Sequence, residues 1–164
     1  MDFSRYLVSD LLARPGSHRD EDVAVPVRLS SDSVTVDGVA TGRLRIEAAG
    51  AVIVVRGSVA VPATITCSRC LVEFEGELVT DLTATYGDPD DPDARPISGD
   101  GRIDLAEAVH EELAMVMPAA PVCREDCRGL CAVCGSDLNV DPCDGHEEPS
   151  SSPFAALEDL FPTE

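Results

Sequence analysis

Residues 52–86 read VIVVRGSVAVPATITCSRCLVEFEGELVTDLTATY. Apolar residues alternate with polar or small ones on both sides of the central Cys67-Ser68-Arg69-Cys70, which is the pattern of half-buried strands. A Cys-x2-Cys step forms a tight turn that brings two sulfurs to one point. The stretch therefore predicts an antiparallel hairpin, over residues 52–66 and 71–86, with two metal ligands at its tip.

The same alternation upstream predicts more strands. Apolar residues recur at every second position over 23–29, 33–36 and 42–48. The pairs Asp37-Gly38 and Ala49-Gly50 are turn signals that would separate these strands. We therefore expect a β-rich α+β fold, in which an antiparallel meander or a small barrel is covered by one packed helix.

That helix is predicted at about residues 104–117, because Leu105, Val109 and Leu113 recur at helical spacing. An acidic surface loop over 87–103, rich in proline, glycine and aspartate, precedes it. The predicted β-rich core then ends at residue 121.

Two further segments follow the core. Residues 122–146 form a cysteine-rich, zinc-binding segment that we expect to pack on the core as a C-terminal zinc knuckle. Residues 147–164 are read as a linker and a short terminal helix, in which Ser152-Pro153 begins the helix and Phe154, Leu157, Leu160 and Phe161 are its apolar residues.

Seven cysteines and one histidine have the spacing of soft-metal ligands: Cys67, Cys70, Cys123, Cys127, Cys131, Cys134, Cys143 and His146. An odd number of cysteines argues against a disulfide framework, and cysteine-rich sets of this kind form closed, structural zinc sites. The chain is therefore expected to bind one or two structural zinc ions.

The pairing of these ligands stays open at this point. In the preferred hypothesis, Cys67 and Cys70 join Cys123 and Cys127, and the remaining four residues form a second, local site. In the rival hypothesis, Cys67 and Cys70 join Cys131 and Cys134 in one ribbon-like site, and the other ligands are free.

Charge is distributed unevenly along the chain, whose net charge is −19. Residues 1–70 contain eight acidic residues and eight arginines, whereas residues 71–164 contain 23 acidic residues and four arginines. An acidic surface repels a phosphate backbone, so charge does not favour direct contact with RNA. A basic protein is the expected partner.

No motif of enzyme chemistry is present: the chain has no Ser-His-Asp arrangement, phosphate-binding glycine loop or His-Glu-x2-His helix. No segment has the length and apolar character of a membrane span or the pattern of a signal peptide. We therefore expect a cytoplasmic protein that is not an enzyme and has no small-molecule substrate.

Several ordered motifs resemble one known family. They are Leu11-Leu12-Ala13-Arg14-Pro15-Gly16-Ser17, Cys67-Ser68-Arg69-Cys70, Asp104-Leu105 through Pro118-Ala119-Ala120-Pro121-Val122-Cys123, Cys127-Arg128-Gly129-Leu130-Cys131-Ala132-Val133-Cys134-Gly135 with Leu138-Asn139, and Ser152-Pro153-Phe154-Ala155-Ala156-Leu157. In order and spacing this set resembles the YceD-type family of large ribosomal RNA subunit accumulation proteins.

The resemblance implies a role in ribosome biogenesis, namely the synthesis, processing or stability of large-subunit (23S) ribosomal RNA, with no established catalytic activity. Together with the charge, it favours a basic ribosomal protein or a large-subunit assembly intermediate as the partner. The alternative function is a regulatory module that senses oxidation through zinc and thiols, since it would use the same cysteines.

Overall fold

The structure is a computed structural model that describes residues 4–88, 90–141, 143, 145 and 146. Within these residues the elements follow the order β1 (Arg5–Leu7), α1 (Ser9–Leu12), β2 (His18–Ser30), β3 (Val34–Ala49), β4 (Val52–Thr66), β5 (Glu73–Tyr86), β6 (Arg102–Asp104) and α2 (Ala106–Met115). The terminal helix predicted within 147–164 lies outside the described residues. Neither α1 nor α2 has the length and apolar character that a membrane-spanning helix needs.

The four long strands form one antiparallel sheet in the order β2-β3-β4-β5, so each strand pairs with the next one along the chain. The predicted β-rich meander is confirmed. The predicted barrel is wrong, because among the described residues β2 and β5 stay at opposite edges of the sheet and do not pair. A separate two-stranded sheet pairs β1 with β6.

Helix α2 lies between the two edges and contacts both β2 and β5. Its residues Val109 and Leu113, with Leu105 just before its first turn, are fully buried in the core. On the β2 side, a ring nitrogen of His110 is 3.1 Å from the carbonyl oxygen of Arg28. The helix therefore covers the apolar inner face that a closed barrel would have covered with strands.

Strand β3 runs without interruption through Asp37-Gly38, which the sequence indicated as a turn. In the regular β2–β3 register Gly38 pairs with Val27 and Asp37 with Arg28, whose guanidinium also forms an ion pair of 3.2 Å with Asp37. Val36 and Ala40 keep the inward alternation on both sides. Pairing and burial thus override the local turn preference, and the irregularity remains only as a register shift against β4.

The acidic loop between β5 and α2 is tied to both elements by Arg95. The backbone N–H of Arg95 donates to the carbonyl oxygen of Thr85 at 2.8 Å, and its guanidinium forms ion pairs with Glu107 and Glu111 on α2. The loop also ends earlier than predicted, because Arg102–Asp104 pairs with β1 as β6.

Two inward-facing glycines allow β3 and β4 to approach closely. Gly42 pairs with Val59 and Gly57 with Leu44. A Cβ atom at Gly42 would lie 2.1 Å from the carbonyl oxygen of Ser58, and one at Gly57 would lie 2.3 Å from that of Arg43. Glycines at such positions permit a close approach of the two backbones that a side chain would prevent.

Gly42→Ala is expected to lower the free energy of unfolding by about 2 kcal/mol, because the new methyl group would overlap the β4 backbone. The measurement is urea denaturation followed by circular dichroism. Gly99→Ala is the matched control, since a Cβ there meets no atom within 4 Å. Equal denaturation midpoints for the two variants would contradict the close approach of the strands.

Candidate metal centres

The first cysteine pair lies in the turn that joins β4 to β5. In this turn the N–H of Leu71 donates to the carbonyl oxygen of Cys67 at 2.9 Å, and the N–H of Cys67 donates to that of Val72 at 2.9 Å. The N–H of Arg69 points at the Cys67 sulfur, 3.4 Å away. Backbone geometry therefore turns both sulfurs inward, as expected for a metal-binding knuckle.

The segment after α2 docks on this turn through hydrogen bonds to its two central residues. The N–H and the hydroxyl of Ser68 both donate to the carbonyl oxygen of Pro121 at 2.8 Å. The Arg69 guanidinium donates to the carbonyl oxygens of Cys127 at 2.9 Å and Glu125 at 3.3 Å. These bonds bring the second cysteine pair of the site to the hairpin tip.

The first group consists of Cys67, Cys70, Cys123 and Cys127, whose sulfurs all lie within 4.8 Å of one another. The sulfur of Cys67 is 3.8 Å from that of Cys127, and the sulfur of Cys70 is 3.7 Å from that of Cys123. Four sulfurs at about 2.3 Å around one zinc ion would be separated by about 3.8 Å. The spacing therefore fits a tetrahedral thiolate site.

The second group consists of Cys131, Cys134, Cys143 and His146, again with ligand atoms within 4.8 Å of one another. Its turn repeats the first one: the N–H of Gly135 donates to the carbonyl oxygen of Cys131 at 2.9 Å, and the N–H of Cys131 donates to that of Ser136 at 2.8 Å. The sulfur of Cys143 is 3.0 Å from Nε2 of His146.

Both groups match the preferred pairing of the sequence analysis, in which Cys67 and Cys70 meet the first two cysteines after the helix. The rival ribbon-like pairing with Cys131 and Cys134 is not the grouping that the structure shows. All seven cysteines are free thiols. Each group can therefore hold a metal ion. The ligands of the first group come from the β4–β5 turn and the segment after α2, and those of the second come from one local stretch of chain.

The two groups differ in exposure. Cys67 and Cys127 are buried in the first group, whereas Cys134 and His146 are exposed in the second. The first group is therefore shielded from solvent by the core and by the docked segment, and the second is open to it.

Hydrogen bonds and burial shift the pKa values of the ligands in opposite directions. The N–H of Cys70 holds the pKa of the Cys67 thiol below its usual range, whereas burial raises the pKa of Cys123. In the second group the hydroxyl of Ser136 lowers the pKa of Cys134, and the Cys134 thiolate raises that of His146. A metal ion that binds either group must therefore displace protons.

Comparison with known protein families gives a match over the part of the chain that contains these cysteines. The model of the YceD family, described as large ribosomal RNA subunit accumulation protein, matches residues 55–161, which include all eight candidate ligands. The chain belongs to the YceD family. The resemblance predicted from the motifs is therefore confirmed.

Mycobacterial relatives extend the similarity over most of the chain. An uncharacterized protein of Mycobacterium leprae is 34% identical over 126 residues, which are 72% of this chain and 57% of the relative. Uncharacterized proteins of Mycobacterium bovis and Mycobacterium tuberculosis are 31% identical over 152 residues, which are 86% of this chain and 73% of each relative. No solved structure matches the chain significantly.

Asn139 is a site residue for which the sequence indicated no role beyond the family motif. Its side-chain N–H points at the sulfur of Cys127, 3.6 Å away. Its side-chain oxygen Oδ1 accepts hydrogen bonds of 2.8 Å from the backbone N–H of Arg128 and from Nη2 of Arg124. Asn139 therefore connects the loop of the second group to a sulfur of the first. No spacing rule identifies such a residue, because its contacts arise only when the segment folds back.

Leu71 is the only non-glycine residue among those described with a positive φ, 60°. It occupies the position that Gly135, with φ 75°, occupies in the second turn. A left-handed conformation costs a branched residue about 1 kcal/mol or more. The β4–β5 turn is therefore strained at Leu71.

Replacing Leu71 by glycine is expected to raise the free energy of unfolding by about 0.5–1 kcal/mol, because relief of the strain exceeds the extra entropy of the unfolded chain. Thermal denaturation of the metal-loaded protein measures this change. The control is Val72→Gly, where φ is not positive and a loss of stability is expected. A destabilised Leu71→Gly variant would show that the turn holds no strain there.

Proposed function

We propose that this chain is a non-enzymatic ribosome-biogenesis factor that supports the synthesis, processing or stability of large-subunit (23S) ribosomal RNA. The family match over residues 55–161 carries this proposal, since the family is described by large-subunit rRNA accumulation. In the proposed mode the protein binds a basic ribosomal protein or an assembly intermediate in the cytoplasm, rather than gripping RNA along its length.

Charge supports a basic protein as the partner. The net charge of −19 falls entirely in residues 71–164, which contain the docked cysteine segment. An acidic surface attracts arginine- and lysine-rich proteins and speeds their association at low salt. It also weakens any grip on phosphates, because affinity for nucleic acid requires cations that release counterions.

The chemistry of the described surface supports the absence of catalysis. A cavity of about 430 Å³ beside α2 is lined by Arg95, Glu107 and Glu111, whose charges already pair with one another. Each cysteine group offers four ligand atoms within 4.8 Å of one another, so a tetrahedral metal bound by all four would keep no open position for a substrate. Zinc would supply structural stability there.

We further propose zinc as the metal of both groups. A set of four sulfurs and a set of three sulfurs with one imidazole are the donor sets that structural zinc prefers. The cysteine segment also needs such a metal, because its described residues form no helix or strand of their own. Each hydrogen bond contributes about 1 kcal/mol, whereas ordering each residue costs about 1–2 kcal/mol.

Protein purified without chelator is expected to contain about two zinc ions per chain, as measured by inductively coupled plasma mass spectrometry. Cys70→Ser and Cys134→Ser should each reduce the content to about one. Only Cys70→Ser should also loosen the segment from the sheet, and its thermal midpoint should fall further. Ala132→Ser, inside the second turn but not a ligand, should keep both ions. A wild-type content near one would contradict two independent sites.

Depletion of the protein in its host is expected to cause selective loss of large ribosomal subunits and 23S rRNA, while small subunits are retained. The measurement is a sucrose-gradient particle profile with quantification of both rRNAs. Wild-type protein should restore the profile, and so should Ala132→Ser, whereas Cys70→Ser should restore it poorly.

Unchanged particles after depletion would contradict the proposed role. The exposed second group, with Cys134 and His146 at the surface, would then favour the redox-sensing module, since reactive thiols are accessible ones.

A further inference from the structure

The strained residue Leu71 also exposes a large apolar side chain. Its exposed fraction is 63%, so its side chain adds little to the core. The second turn has glycine at the same position, which shows that this turn geometry does not require a side chain there. A residue that costs stability and buries little is typical of a functional position.

Leu71 is one of several exposed apolar side chains at this end of the molecule. Four of the nine large apolar side chains exposed among the described residues belong to the two turns and the loop between the second group's ligands: Leu71 at 63%, Val72 at 51%, Val133 at 67% and Val140 at 81%. We call these four residues the knuckle surface. Exposed apolar side chains that share two linked turns and the loop beside them are candidates for an interaction site.

One backbone hydrogen bond joins the first turn to the residue before the second turn, and another closes the segment that carries the second turn. The N–H of Leu130 donates to the carbonyl oxygen of Arg69 at 3.0 Å, and the N–H of Leu138 donates to that of Gly129 at 2.9 Å. A side chain at Gly129 would be crowded, since a Cβ atom there would lie 3.0 Å from the Arg69 carbonyl oxygen. The knuckle surface is therefore presented by one packed unit.

The two segments that carry this surface contain more acidic than basic residues. Residues 67–73 and the described part of 123–146 contain five acidic residues and three arginines, before any charge on the thiolates is counted. Arg69 donates to the carbonyl oxygens of Glu125 and Cys127, and Arg124 pairs with Asp126 and Asn139, so two of the arginines are already used within the segment. The surface thus combines apolar tips with an acidic surrounding.

We propose that the knuckle surface is the site that docks the partner, and that it binds a basic polypeptide segment carrying apolar side chains. This inference rests on the proposed function and specifies where on the chain the partner binds. Acidic groups around the surface attract the basic segment and orient it, while Leu71 and its apolar neighbours bury the partner's apolar side chains. Removing an apolar contact near the centre of such an interface weakens binding by about tenfold or more.

The test uses the full, zinc-loaded chain and individually purified basic proteins of the large ribosomal subunit, titrated by fluorescence anisotropy. Leu71→Asn removes the apolar group, and asparagine tolerates a left-handed conformation, so zinc content and thermal midpoint should be retained. We expect this variant to bind the same protein at least about tenfold more weakly than wild type. Leu71→Met, which restores an apolar side chain, should recover most of the affinity.

A second variant and a control keep the outcome decisive. Val133→Thr changes the other turn without a positive φ and should also weaken binding, whether or not Leu71→Asn folds. Val39→Thr alters a side chain that is 47% exposed on the sheet and should bind as wild type does.

If Leu71→Asn and Val133→Thr both bind with the affinity of the wild type, the proposed surface is wrong but the proposed function is unaffected. Equal weakening by Val39→Thr would also overturn it. If wild type binds none of the basic proteins but binds naked 23S rRNA in a manner that depends on Leu71, the protein partner is wrong for both proposals.

Discussion

The tie between the β4–β5 turn and the segment after α2 is the contact on which the rest of the architecture depends. Cys70 and Cys123 are 53 positions apart in the chain, yet their sulfurs are 3.7 Å apart. Closing a loop of that length costs about 3.5 kcal/mol of chain entropy. The chain between these two cysteines, which includes β5, β6 and α2, is thereby closed into a loop that begins and ends at the tip of the β4–β5 hairpin.

Much of this arrangement could be predicted from the sequence, because two independent patterns, hydrophobic alternation and the spacing of metal ligands, extend over long stretches of it. Period-two alternation identified the paired strands of the central sheet, and ligand spacing identified the eight candidate ligands, whereas their grouping into two sets of four came only from the fold. The features that failed were those decided by packing. Asp37-Gly38 has a strong turn preference, but pairing with β2 and burial of Val36 and Ala40 keep it extended. Whether four strands close into a barrel depends on what covers the inner face, and here α2 covers it.

Asn139 and Leu71 show a second limit of sequence reasoning. The role of Asn139 depends on a sulfur 12 positions earlier and on the Arg124 guanidinium and the Arg128 backbone N–H, which reach its Oδ1 only after the segment has folded back. The strain at Leu71 follows from the backbone of the turn. The two turns have the same hydrogen bonds, but the left-handed position is occupied by Leu71 in the first and by Gly135 in the second. Neither feature has a spacing signature.

The two proposals together assign different tasks to charge and to apolar surface. The acidic second half would attract any basic chain, and a ribosome contains many, so charge alone would give fast but unselective association. Selectivity requires contacts that only some basic segments can satisfy. The proposed apolar surface on the two cysteine turns would provide such contacts, because a partner without matching apolar groups would leave it exposed to water. The strain retained at Leu71 is consistent with this division, since glycine would serve the metal site better and the docked partner worse.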